Sequence, residues 1–368
     1  MKLFCTQKDL ETALNIVDKA ISPNNTLPVL NNILLKAEGK KLYFSSTNLE
    51  IAISCSIDAD VRSEGVITVP AKLITNYISL LNDEKVELNI TEGLSLNITS
   101  STSNTKIKCI SADEFPLIPK IEKSKELILK VDDLVEAITE TVFAASLNTS
   151  RPVLSGVYLI ANENGMKLVA TDSYRLAEKK VALSKKNTDE LSCIIPVKTL
   201  MELGKILGKS GAKEVKINIS NNQILFITGE IELISRLIEG KFPDYEKIIP
   251  KESKTEIEVS VEDLSLVLKR VSLFARENNN SVKLSATNDG KFLISSDETK
   301  VGEEKAEIII KIKGENNKIA LNSQYLLDVL TYISDDKILF LMNDKVSPAV
   351  IKPLKGDGYV YIIMPLKV

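Results

Sequence analysis

The chain has 368 residues, which suggests two or three domains of ordinary size. Its 44% apolar residues can fill real cores, and charged residues of both signs leave a formal net charge of only −3. That balance excludes a strongly basic domain that grips nucleic acid through charge alone, and the lack of any histidine excludes histidine-based triads and most zinc sites.

In the first third, KLFCTQKDLETALNIV predicts a short strand followed by a helix. Leu10, Ala13 and Leu14 recur at helical spacing and form one apolar stripe. Asp9 sits near the helix start, where a carboxylate favours the positive end of the dipole. Alternating apolar residues around Glu38-Gly39 predict a hairpin. GVITVPAKLITNYISLL then predicts a strand running into a second helix at Pro70, where proline is tolerated because the first turn lacks N–H partners. ELNITEGLSLNIT predicts another hairpin, and a closing strand ends at Phe115-Pro116.

The same landmarks return in the same order. In the middle third, LILKVDDLVEAITETV carries Asp133, Leu134, Ala137 and Ile138. Asn164-Gly165 marks the hairpin, a strong signal because both central residues of such a turn need positive φ. SCIIPVKTLMELGKIL joins strand to helix at Pro196, VKINISNNQILFIT repeats the second hairpin, and Phe242-Pro243 closes the unit. In the last third the equivalents are Asp263, Leu264, Val267 and Leu268, then Asp289-Gly290, Asn322, KILFLMNDKVSPAVI and Met364-Pro365. Gly39, Gly165 and Gly290 lie 126 and 125 residues apart, and Pro70, Pro196 and Asn322 lie 126 apart both times. This period predicts three tandem repeats of one α+β design, over 1–120, 126–248 and 254–368, each with two helices and antiparallel sheets. Pro-, Lys- and Glu-rich linkers are expected near 117–127 and 246–255.

Several chemical signals are weak. Residues 204–210, GKILGKS, imitate a phosphate loop, but the glycine spacing is one residue short and the segment ends a helix rather than opening one. Asp132-Asp133 and Asp335-Asp336 fall at helix ends or turns, where solvation and dipole roles are commoner than catalysis. Cys5, Cys55, Cys109 and Cys193 are scattered with no CxxC pair, which fits buried thiols in a reducing cytoplasm. The N-terminus turns polar after five residues, so no signal peptide is expected, and no apolar run reaches the length of a membrane span. Nothing points to a cofactor or a metal.

Six stretches together resemble the β subunit of bacterial DNA polymerase III, the sliding clamp: TLPVLNNILL (26–35), RPVLSGV (151–157), ATDSYRLA (170–177), KFPDY (241–245), LNSQYLLDVL (321–330) and YIIMPLKV (361–368). The resemblance runs end to end. It implies a threefold-repeated clamp fold, a head-to-tail homodimeric ring around double-stranded DNA, and no catalysis. It also implies tethering of the polymerase III catalytic subunit, the clamp loader and other proteins that carry clamp-binding peptides. A near-neutral chain with local basic stripes suits a ring that slides, because many phosphate contacts would bind tightly and salt-sensitively.

Residue by residue, the resemblance implies a peptide pocket of Leu154, Thr171, Ser173, Tyr174, Arg175, Leu176, Pro243, Lys247, Ile248, Asn322, Tyr325, Val346, Pro348, Ile362, Met364, Pro365 and Leu366. Tyr174 and Ser173 replace the histidine and glycine of some relatives. Asn24, Asn148 and Arg151 occupy loops used for DNA, although an arginine common at the first of these is absent. Lys198, Lys205 and Lys209 share one face of the second middle helix, and Lys72 is the equivalent of Lys198 in the first repeat. The resemblance places these lysines on the DNA side; their spacing alone equally fits an ordinary solvated face. For the dimer it implies Ile107 meeting Leu273 and Phe274, residues that equally fit a core. On the residues alone, a monomeric peptide-binding scaffold and a carboxylate-dependent hydrolase remain as alternatives.

Overall fold

The computed structural model describes residues 1–22, 27–82, 84–91, 93–119, 121, 126–148, 150–356 and 358–367. Asn24 lies outside the described residues. Six helices are present among them: α1 Gln7–Val17, α2 Ala71–Ser79, α3 Val131–Thr141, α4 Val197–Ser210, α5 Val261–Ala275 and α6 Ser323–Tyr332. Two fall in each predicted repeat. The aspartate-leucine starts have a local cause. Thr6 caps α1 by accepting from the Asp9 amide at 3.1 Å, and Ser260 caps α5 by accepting from Asp263 at 3.3 Å. One turn in, Leu10, Leu134 and Leu264 are all buried.

The strands form four sheets, and every named strand pair is antiparallel. The first repeat has a five-stranded sheet in the order Asp60–Ser63, Lys2–Thr6, Lys85–Thr91, Ser95–Thr99, Asn104–Lys108. The last has a four-stranded sheet ordered Lys305–Ile309, Lys291–Ser295, Ser281–Thr287, Asn317–Asn322. The other two sheets run across repeats. An eight-stranded sheet joins the first to the middle repeat where Ile231–Arg236 pairs with Ile51–Asp58, with Leu233 opposite Ile53. A nine-stranded sheet joins the middle to the last where Arg175–Val181 pairs with Tyr359–Ile363, with Leu176 opposite Ile362.

The chain packs into two compact units, and the division cuts the middle repeat. One unit contains Met1–Val131 with Glu202–Leu237, the other Asp132–Met201 with Ile238–Val368. In the first, Val29, Leu30 and Phe115 form one apolar cluster, and Ala52, Leu225 and Ile234 another across the joined sheet. In the second, Val169, Leu176, Ile194, Phe242, Tyr245, Val350 and Ile362 form a single cluster. Phe242 stacks on Tyr158 with ring centroids 4.8 Å apart, so Phe115 and Phe242 at the repeat ends are core residues.

The hairpin turns differ from the expectation. Glu38 pairs with Lys41, Asn162 with Gly165 and Thr287 with Lys291, so two loops have two residues and the third has three. Among the turn residues only the glycines take positive φ, at 61°, 119° and 82° for Gly39, Gly165 and Gly290. The Asx-Gly pair therefore marked the reversal correctly, but Asn164 and Asp289 do not need the left-handed conformation. GKILGKS lies inside α4, as its spacing implied.

Candidate functional site

The unit holding the end of the chain has a surface pocket of about 660 Å³. Val346, Met364, Pro365 and Leu366 line it with Ile319 and Ala320. The segment after strand Tyr359–Ile363 is held by two backbone bonds. Met364 N donates to Tyr174 O at 2.8 Å, and Leu366 N donates to Ala320 O at 2.9 Å. The second bond occupies the open edge of strand Asn317–Asn322, whose other edge pairs with Ser281–Thr287.

The loop preceding strand Arg175–Val181 is built from its own side chains. Asp172 Oδ1 accepts from the amides of Tyr174 and Arg175 at 2.9 and 3.0 Å. Thr171 Oγ1 accepts from Ser173 N at 3.1 Å and donates to Arg175 O at 2.6 Å. This Asx turn forces Ser173 to a φ of 81°, a left-handed conformation that favours glycine. Arg151 reaches the Ser173 hydroxyl at 3.4 Å.

Arg175 is the hub beneath this loop. Its guanidinium donates to Asp172 at 3.0 Å, to Phe143 O at 2.8 Å and to Asp328 on α6. It also lies over the Tyr325 ring, 4.5 Å from the centroid. The planar fork thus ties the middle-repeat loop to a last-repeat helix, a task that needs arginine rather than lysine. Nearby, Tyr245 donates to buried Glu178 at 2.7 Å, and burial followed by this hydrogen bond pushes the phenol far above its usual range. Backbone amides of Val346 and Ser347 hold the Asp344 carboxyl below its usual range, fixing the loop that carries Val346.

The implied pocket residues therefore divide. Val346, Met364, Pro365 and Leu366 share one pocket; Tyr174 is bonded to Met364 through its carbonyl and Arg175 lies over Tyr325, whereas the Ser173 hydroxyl meets Arg151. Leu154, Thr171, Leu176 and Ile362 are buried beneath the surface. Asn322 caps α6, accepting from Gln324 N at 2.8 Å. Pro348 lines a different, more polar depression of about 590 Å³ with Pro250 and Glu256. Pro243, Lys247 and Ile248 are exposed, and Lys247 pairs with Asp244 at 2.6 Å. Sequence reasoning missed Phe143 and Asp328, and it missed Lys283, Lys318, Lys345 and Lys367, which line the 660 Å³ pocket.

On α4, Lys198, Lys205 and Lys209 are exposed, while Leu200, Leu203, Ile206 and Leu207 are buried. Lys205 pairs with Glu202 at 2.9 Å. Lys72 is exposed on α2, as are Asn148 and Arg151 on their loop. At the sheet ends, Ile107 is only 4% exposed, because alternation along its edge strand turns it into the chain's own core. Leu273 is 57% exposed on α5, and Phe274 is half-buried.

The comparisons with known proteins agree along the whole length. Sequence models of the DNA polymerase III beta subunit match its N-terminal domain at residues 1–119, its central domain at 128–244 and its C-terminal domain at 246–367. The chain belongs to the DNA polymerase III beta subunit family. A beta sliding clamp of Synechocystis is 32% identical over 100% of this chain and 99% of its own length. The crystal structure of a Bacillus subtilis DNA polymerase sliding clamp superposes with a TM-score of 0.95 at 30% identity, covering 100% of this chain and 99% of that one. A Thermotoga maritima beta subunit gives 0.93 at 29%, with the same coverage. The chain thus has three clamp domains in tandem and is a DNA sliding clamp for DNA polymerase III processivity, a processivity factor rather than an enzyme.

Proposed function

We propose that two copies of this chain close head to tail into a ring threaded by duplex DNA, with modules bounded at 1–120, 126–248 and 254–368, working in the cytoplasm. The observation that carries this reading is the pair of open sheet edges on the two terminal repeats. Strand Asn104–Lys108 ends one sheet and strand Lys305–Ile309 ends another, and neither has a neighbour on its outer side among the described residues. Unpaired edges are templates for pairing with another chain. Their exposed side chains include Lys106 and Lys108 on the first and Lys305, Glu307 and a 76% exposed Ile309 on the second; Lys305 is paired with Glu303 at 2.9 Å, so Glu307 is the carboxylate that can meet a lysine of the first edge. Two identical contacts of this kind close a two-fold ring. In that ring Ile107 supports the edge from behind, and Leu273 with Phe274 flanks the contact. No helix among the described residues is long and apolar enough to cross a membrane.

The DNA side in this reading carries Lys72, Lys198, Lys205, Lys209, Asn148 and Arg151, with Asn24 on a loop outside the described residues. Partner peptides of the polymerase and the clamp loader dock in the pocket closed by Met364–Leu366, with Tyr174 and Tyr325 beside it. The decisive experiment is loading onto circular DNA followed by linearisation. The expected result is retention on the closed circle and release after cutting; retention on linear DNA with free ends refutes topological binding. Light scattering is expected to give about twice 40.6 kDa. A mass of one chain with intact peptide binding would instead favour a monomeric scaffold.

A further inference from the structure

Every charged side chain that lines the 660 Å³ pocket is a lysine: Lys283, Lys318, Lys345 and Lys367. The fold gathers them from four places. Lys283 faces Ala320 and Ser285 faces Lys318 across two strands, so alternation puts both lysines on one face of the sheet. Lys345 follows strand Lys337–Met342, and Lys367 is brought in by the Leu366–Ala320 bond. Lys283 is matched by Asp297, which also accepts from Asn278 at 2.9 Å. Lys318, Lys345 and Lys367 are exposed, and none pairs with a carboxylate among the described residues. Asp344, the carboxylate next in sequence to Lys345, is turned to the amides of Val346 and Ser347. In a chain of net charge −3 this concentration of unmatched ammonium groups is local.

We propose that this collar reads carboxylates on the docking partner, so that the pocket selects peptides whose apolar anchors are flanked by Asp or Glu. The proposal rests on the reading of the pocket as a peptide site and names the chemistry of its ligand. Exposed ammonium–carboxylate pairs contribute little singly, but several around one apolar anchor set on-rate, register and salt dependence. The same groups would turn away basic flanks, which gives selection by repulsion as well as attraction.

The test uses the full chain and two fluorescent synthetic peptides that share one apolar core, a leucine and a phenylalanine chosen to match the apolar lining of the pocket, one flanked by Asp and Glu, the other by Asn and Gln. Anisotropy titrations are run at roughly 50 mM and roughly 300 mM salt, where the screening length shortens. The acidic peptide is expected to bind about tenfold tighter at low salt, about 1.4 kcal/mol. The preference should shrink toward unity at high salt and in the Lys318→Gln/Lys345→Gln variant, while the amide-flanked peptide binds that variant as it binds the wild type. Lys185→Gln/Lys186→Gln, a pair outside the collar, should leave the preference intact. Equal binding of the two peptides to the wild type, or a preference that survives in the collar variant, overturns the proposal while leaving the docking site itself in place. If neither peptide binds, the docking site and the collar fall together.

Discussion

Arg175→Ala tests the hub directly. The substitution removes three hydrogen bonds and two ring contacts; Asp172 and Asp328 lose their charge partner and the carbonyl of Phe143 its donor, while Asp172 Oδ1 keeps two backbone amides and Asp328 Oδ1 keeps Gln324. Removing one partner of a buried ion pair costs ~3–5 kcal/mol. The Asp172 and Asp328 side chains keep 15% and 24% of their exposure, so water compensates part of the loss. A destabilisation of about 2–4 kcal/mol follows. At ~2–4 °C per kcal/mol for a body of 150–250 residues, the melting transition should fall by on the order of 10 °C. Far-UV circular dichroism and tyrosine fluorescence can follow it, since the chain has no tryptophan. The mechanism makes a sharper demand on the double variant. Asp328→Ala should cost less in the Arg175→Ala background than in the wild type, because one stranded charge is then gone. A melting point within a degree of wild type, or strictly additive losses, refutes the account.

Three further outcomes are expected. Tyr245→Phe removes the hydrogen bond to Glu178 and should cost about 1.5–3 kcal/mol in urea unfolding, since the acceptor is a buried carboxylate. Glu140 on α3 is 2% exposed, and burial raises its carboxyl above the usual range against the pull of Lys179. A raised folded pKa means that the group's contribution is full below the unfolded value and is lost as pH rises through the folded one. Stability of the wild type relative to Glu140→Gln should therefore decline from acid toward neutral pH; a flat difference would contradict it. Burial pushes the Cys5, Cys55 and Cys193 thiols up to about 12, so native alkylation near about pH 8 should label Cys109 first, by peptide mass mapping.

Much of the architecture was legible because it is periodic and local. The apolar stripes at Leu10, Leu134 and Leu264, the glycine reversals and the strand-to-helix junctions are each set by residues within one turn or one hairpin. The buried face of α4 was equally readable, since Leu200, Leu203 and Leu207 recur at helical spacing. What escaped depends on pairing between distant strands. Nothing in a linear reading says that Lys283 and Lys318 end on one face, because that requires the register of Ser281–Thr287 against Asn317–Asn322. Whether Ile107 turns inward was left open by the sequence for a related reason: an edge strand has one buried and one open face, and a slip of one residue exchanges them. Arg175 was found through family resemblance, but its partners Phe143 and Asp328 lie 32 and 153 residues away, with no sequence mark to connect them.

The two long sheets have a practical consequence for anyone cutting this chain into pieces. The middle module contributes Ile231–Arg236 to one sheet and Arg175–Val181 to the other, and each strand is zipped to a neighbouring module. Excising residues 126–248 would bare both strands at once and invite self-association. Chimeras are better joined beyond these seams, by exchanging a whole seam with its two flanking strands, than at the linkers near 117–127 and 246–255.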